Sequence, residues 1–229
     1  MDKRDPQAAA GEVALPQDNK PASWDVRLED AILRGGIFSV RHWLAIACLA
    51  LAIFIALPLA APLLMANGLT EPAQAIYTMY HATCHQEPAR SFFLGGPHAI
   101  YSRSELESLT PVRPLAAFVG SPAMGYKVAF CERDVAMYVS ILVFLVFYGA
   151  MRRKAPRLPL WLYVLLILPL AIDGLTQLTG LRESTWLLRT ITGTLFGVAT
   201  AWLLLPEVDK GMTATRKQFE ADRVRLEQR

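Results

Sequence analysis

Four long apolar runs constrain this chain more than any other feature of it. Residues 43–64, 135–151, 158–178 and 185–206 each carry at most one charged side chain. Each reaches the roughly 17–25 residues that a helix needs to cross a hydrocarbon core about 30 Å thick. Hydrophobic residues make up 53% of the chain, whereas a soluble domain holds about 45–50% even when glycine is counted. The pattern predicts an all-α, polytopic integral membrane protein. It has four transmembrane helices and, between the first two, an extracytoplasmic region (65–134) that is partly helical and partly irregular. Its surroundings are the lipid bilayer of the cell membrane.

Basic residues set the orientation, because short loops rich in Lys and Arg stay in the cytoplasm. Segment 1–42 carries Lys3, Arg4, Lys20, Arg27, Arg34 and Arg41, and loop 152–157 carries Arg152, Arg153, Lys154 and Arg157. The tail, 207–229, carries six more. The opposite face, made of 65–134 and the turn 179–184, holds six over a much greater length. Both termini are therefore expected in the cytoplasm. The net charge of +3 reflects these flanks, and no nucleic-acid partner is needed to explain it. The first apolar run follows a long polar segment, so it is expected to act as a signal anchor and not as a cleaved signal.

Between the spans, 1–23 reads as a polar lead without structure. Residues 24–40 read as an amphipathic interfacial helix. Residues 71–94 have helical spacing, with Pro72 at the start and Ile76, Met79 and Tyr80 on one face. Residues 95–130 read as irregular loop around Gly95-Gly96, Gly120 and Gly125. The tail reads as a solvated helix whose Phe219, Val224 and Leu226 are available to a partner.

Two constellations carry chemistry. The first is His81, Cys84 and His85, with Arg90 following, and then Cys131-Glu-Arg133. On a continuous helix His81 and His85 share a face with Cys84 beside them. With Cys131 they make a two-Cys, two-His set that suits tetrahedral zinc, the cofactor this set would take. The alternatives are a Cys84–Cys131 disulfide, worth about 4 kcal/mol by loop closure, and free or redox-cycling thiols. The second constellation is Asp173, Gln177, Arg182, Ser184 and Arg189. A charge within a span costs roughly 2.5–3.5 kcal/mol on insertion scales, so these groups are paired or functional. Arg182 and Arg189, aligned if the last helix starts early, could bind an anion with Gln177 and Ser184. Asp173 is either a general base or the counter-ion of Arg189. Arg133 and Asp134, entering the second span, extend the same polar layer. Gly193 and Gly197 form a Gly-x-x-x-Gly pair that permits close helix contact.

The motifs Cys84-His85-Gln86-x-x-x-Arg90-Ser91-Phe92, Cys131-x-Arg133 and Asp173-Gly-x-x-Gln177, continuing through Arg182, Ser184 and Arg189 to Gly193, resemble a prokaryotic family of predicted membrane proteins, domain of unknown function 2085. The final hairpin is also similar in part to VanZ-like membrane proteins, at Asp173, Gln177, Arg182, Gly193 and Gly197. Four spans with cysteines on one face resemble the quinone-using disulfide-oxidising enzymes too. The chain has no Cys-x-x-Cys, however, and too few cysteines for a two-disulfide relay.

Two functions follow as expectations. One is a polar site that binds an anionic or lipid-linked ligand through Arg90, Arg133, Gln177, Arg182, Ser184 and Arg189, with Asp173 and His85 as catalytic candidates. The other is a non-enzymatic assembly subunit of a membrane complex, held by a Cys84–Cys131 disulfide.

Overall fold

The computed structural model describes residues 24–151 and 156–228. The expectations for the lead 1–23 and for the basic cluster Arg152, Arg153 and Lys154 lie outside the described residues. The chain forms α1 (Trp24–Arg41), α2 (Trp43–Ala66), α3 (Thr70–Tyr80), β1 (Phe93–Leu94), α4 (Arg103–Leu109), β2 (Gly120–Ser121), β3 (Gly125–Lys127), α5 (Glu132–Ala150), α6 (Leu160–Leu178) and α7 (Trp186–Glu227). Helices α2, α5, α6 and α7 are long and apolar enough to cross a membrane. Their outer faces stay apolar and exposed, as at Ile46, Leu49 and Ile53 of α2 and Val139, Val143 and Val146 of α5. Stripes of that extent suit lipid, not water.

Helix α7 is the hub, packing on α5, α6 and α1. Close approach to α5 depends on two glycines. A Cβ at Gly193 would lie 2.8 Å from the Arg133 carbonyl oxygen, and one at Gly197 would lie 2.1 Å from Ser140 Oγ. The Gly-x-x-x-Gly expectation is thus realised against a definite partner. Alternation of the spans brings the C-terminal ends of α2 and α6 to the N-terminal ends of α5 and α7. A cap built from α3 to β3 sits at that end of the bundle.

Two prolines inside α2 help to hold the cap. Proline supplies no N–H to the carbonyl four residues earlier, so Pro58 frees the carbonyl of Phe54 and Pro62 frees that of Pro58. Tyr80 Oη donates to the first at 2.7 Å, and the Ala129 N–H donates to the second at 3.2 Å. Around these contacts Ala61, Ile76, Tyr77, Tyr80 and Phe130 form a buried core. Tyr138 stacks on Phe130, with ring centroids 5.3 Å apart.

The cap departs from the sequence expectations in two ways. The helix expected over 71–94 stops at Tyr80, because the Gln86 side chain folds back and donates Nε2 to the Tyr77 carbonyl at 2.7 Å. The stretch 95–130 is not wholly irregular. It contains α4, started by a Ser102–Glu105 capping box, and a small antiparallel sheet of order β1-β3-β2. At the other end of the bundle, the helix expected over 24–40 forms as α1, and its Gly36 lies against the Phe219 ring of α7. Of the tail's apolar residues, Phe219 and Leu226 find a partner within the chain, while Val224 stays exposed. Arg223 Nε donates to Asp30 at 3.0 Å, and Leu226 is buried.

Candidate functional site

At the cap end, Asp173 is the one buried residue of α6, and both of its carboxylate oxygens are engaged. Oδ1 accepts from Arg182 Nη2 at 2.9 Å. Oδ2 accepts from Ser184 Oγ at 2.9 Å and from Arg133 Nη2 at 2.5 Å. Arg133 also reaches Gln177 Oε1 at 3.5 Å. Arg182 precedes α7 and does not share a helical face with Arg189, because Thr185 caps the helix by accepting the Leu188 N–H.

The expected Asp173–Arg189 pair is not made. Arg189 donates from Nη1 to Glu132 Oε2 at 2.9 Å and from Nη2 to the Ser184 carbonyl at 2.5 Å. Glu132 was legible only as the middle residue of Cys131-x-Arg133. It is fully buried and is the true counter-ion. Ser184 thus links the two ion clusters, one through its hydroxyl and the other through its carbonyl.

The Cys/His segment is arranged differently from the zinc expectation. Because α3 ends at Tyr80, His81 and His85 are exposed and do not flank Cys84 on a shared helical face. The group that does converge is Cys84, Cys131 and Asp134, whose ligand atoms lie within 4.8 Å of one another. Both thiols are free, so the expected disulfide is not formed. Cys84 Sγ accepts the N–H groups of Gln86 at 3.4 Å and Cys131 at 3.2 Å. Cys131 caps α5 and accepts the Asp134 N–H at 3.4 Å. The hydrogen bond to Cys84, burial, and the Cys84 and Asp134 charges all push the Cys131 thiol well above the usual range; the Asp134 N–H opposes them.

Lys127, which the sequence did not single out, lies close behind. Its buried Nζ donates to the carbonyls of Gln86 at 2.7 Å and Ala116 at 3.1 Å. Burial holds its ammonium down at about 8, while the Glu87 and Cys84 charges pull the other way.

A cavity of about 250 Å³ joins the two constellations, lined by Cys84, His85, Arg90, Cys131, Arg133, Asp134, Gln177 and Arg189 among others. Arg90, Glu87 and Arg189 continue into a neighbouring recess lined by Ser184, Glu132 and Trp186. Asp173 and Arg182 sit behind the wall, and His81 lies outside it. Several buried polar atoms here lack a partner among the described residues: Arg133 Nε, Arg189 Nε, Gln177 Nε2, Gln86 Oε1 and Glu87 Oε1 all belong to lining residues. Buried polar groups are nearly always satisfied, so this concentration marks a place where water or a ligand completes the structure.

Residues 123–203 match the family described as Predicted membrane protein (DUF2085). An uncharacterized protein of Methanocaldococcus jannaschii is 31% identical over 135 residues, covering 57% of this chain and 67% of the relative. A second, from Methanothermobacter thermautotrophicus, is 33% identical over 79 residues, covering 34% of this chain and 71% of the relative. The chain belongs to the DUF2085 family. No solved structure matches it, and the partial likeness to VanZ-like proteins finds no support among these matches. The DUF2085 match takes in β3, α5, α6 and the first part of α7, and so contains Cys131, Glu132, Arg133, Asp173 and Arg189. Cys84 and His85 lie before it.

Proposed function

We propose that this membrane protein holds the anionic headgroup of a lipid or lipid-linked molecule in the cap-end cavity. The observation that carries the reading is the set of unpartnered buried donors on Arg133, Gln177 and Arg189 around one cavity. Guanidinium groups suit phosphate and carboxylate, because their planar donors match two oxygens at once. Arg90 lines both the cavity and its recess and has no ion-pair partner among the described residues, which leaves its charge for a ligand.

An apolar groove of about 510 Å³ between α5 and α7 supports the lipid-linked form. It starts at Glu132 beside the recess and runs past Val139, Val143, Phe147 and Val198. An acyl or prenyl chain lying there would deliver its headgroup to the arginines.

Of the two catalytic candidates, Asp173 has both oxygens engaged and acts here as the acceptor that positions Arg133. His85, on the exposed rim, is the side chain left for proton transfer. The cavity faces the extracytoplasmic side in this reading, with both termini in the cytoplasm, because the described basic residues of α1, Arg157 and those of the tail lie at the other end of the bundle.

Thermal unfolding of the full chain in detergent tests the proposal, with added phosphatidylglycerol, phosphatidylcholine or inorganic phosphate. Phosphatidylglycerol should raise the transition more than phosphatidylcholine, and Arg90→Gln should remove the difference. Phosphate alone should reproduce part of the shift if the headgroup dominates. Equal response to both lipids would sink the reading.

A further inference from the structure

We propose that Cys84, Cys131 and Asp134 bind a divalent transition metal of the zinc class. The inference does not rest on the anion reading. Two sulfurs and a carboxylate oxygen lie within 4.8 Å of one another. Tetrahedral zinc, with sulfur at about 2.3 Å and oxygen at about 2.0–2.2 Å, needs its ligand atoms roughly 3.6–3.8 Å apart. At most about 1.2 Å then remains to be closed, and side-chain rotation of Cys131 and Asp134 at the start of α5 can supply it.

Backbone donors already face both sulfurs. Cys84 Sγ already receives two backbone N–H groups and Cys131 Sγ receives one. Such donors spread the negative charge of a metal-bound sulfur without competing for the metal. Cys131 also caps the N-terminus of α5, where the helix dipole favours an anionic sulfur.

Charge balance points the same way. Two thiolates and one carboxylate around a divalent ion leave one residual negative charge. Arg133 and Arg189 line the same cavity and oppose it. His85 lines that cavity but stands outside the converging triad, so the fourth position opens toward the cavity. An ion with three protein ligands and an open fourth position can hold water or a ligand oxygen, which separates catalytic from closed structural zinc sites. Asp134 thereby takes the place that the sequence spacing gave to His81.

The test uses full-length protein in detergent, reduced, stripped with chelator and titrated with Co²⁺. Binding of about one equivalent with a thiolate-to-cobalt charge-transfer band is expected. Cys84→Ser and Cys131→Ser should each weaken the band or abolish it. Asp134→Asn, at a partly exposed position that tolerates the change, should keep the helical circular-dichroism signal and lower affinity at least tenfold, on the order of an outer-shell loss or more. Arg90→Gln should leave cobalt binding intact, so that the metal and anion readings fail separately. The absence of stoichiometric binding by the wild type would overturn the site. Unchanged affinity in Asp134→Asn would overturn the ligand assignment, and loss of binding in His85→Ala would overturn the open fourth position.

Discussion

Arg189 and Glu132 meet at 2.9 Å with only 8% and 0% of their side chains exposed, so removing one leaves the other buried without its counter-charge. Arg189→Met should cost about 3–5 kcal/mol, the range for breaking a buried ion pair by deleting one partner. That is roughly two to three and a half orders of magnitude in the folding equilibrium. Replacing both should behave differently. The pair is incompletely satisfied, with Glu132 Oε1 and Arg189 Nε both unpartnered, and apolar replacement of such pairs is often neutral or stabilising. Glu132→Leu with Arg189→Met should therefore fall within about 1 kcal/mol of the wild type. Unfolding in mixed micelles, followed by circular dichroism for the wild type, both single variants and the double, yields the coupling directly. A single variant that costs less than about 1 kcal/mol, or a double that costs the sum of the singles, would refute the reasoning.

Three further outcomes follow from the structure. Lys127 is held near 8 against an ordinary 10.5, so between those values the unfolded chain carries a proton that the folded chain lacks. Stability should then rise with pH across that window by about 3 kcal/mol. Lys127→Met should flatten the rise, and denaturant midpoints at about pH 8 and about pH 10.5 check this, parallel slopes for the two proteins counting against it. Gly197→Ala places its Cβ 2.5 Å from the Met137 carbonyl oxygen as well as against Ser140, and backbone cannot rotate away. A loss of about 1–3 kcal/mol is expected in thermal unfolding. Gly174→Ala, whose Cβ would meet only Arg133 Nη1 at 4.0 Å, should be near neutral. Reporter fusions at the C-terminus should be active as a cytoplasmic fluorescent protein and inactive as a periplasmic phosphatase; the reverse would invert the orientation.

The spans were legible because apolar length alone decides them, and each starts or stops within a few residues of its helix. The Gly193/Gly197 contact was legible because small residues at that spacing leave only one face for close approach. The ion pairing was not. Glu132, Asp134 and Asp173 all lie at one end of the bundle. Which one meets Arg189 depends on helix rotation, and one residue step turns a helix by about 100°. The zinc expectation failed at His81 for a related reason. It assumed that α3 continued past Tyr80, whereas Gln86, at φ 53°, folds its side chain back onto the helix end. Nothing in the local spacing announces that contact. The Ser102-x-x-Glu105 box, by contrast, stood in the sequence as a recognised helix start and was masked by the turn-rich residues around it.

Helix α7 runs without a break for 42 residues, about 63 Å at 1.5 Å per residue. A hydrocarbon core of about 30 Å accounts for only half of that. The rest projects beyond the bilayer with α1 splinted along it by Asp30–Arg223 and by Gly36 against Phe219. Arg189 in the cavity wall and Arg223 near the far tip thus belong to one strut, about 51 Å apart. Whatever is fastened to that tip is held at a set standoff from the cavity, on the other side of the membrane, with the helix itself as the ruler.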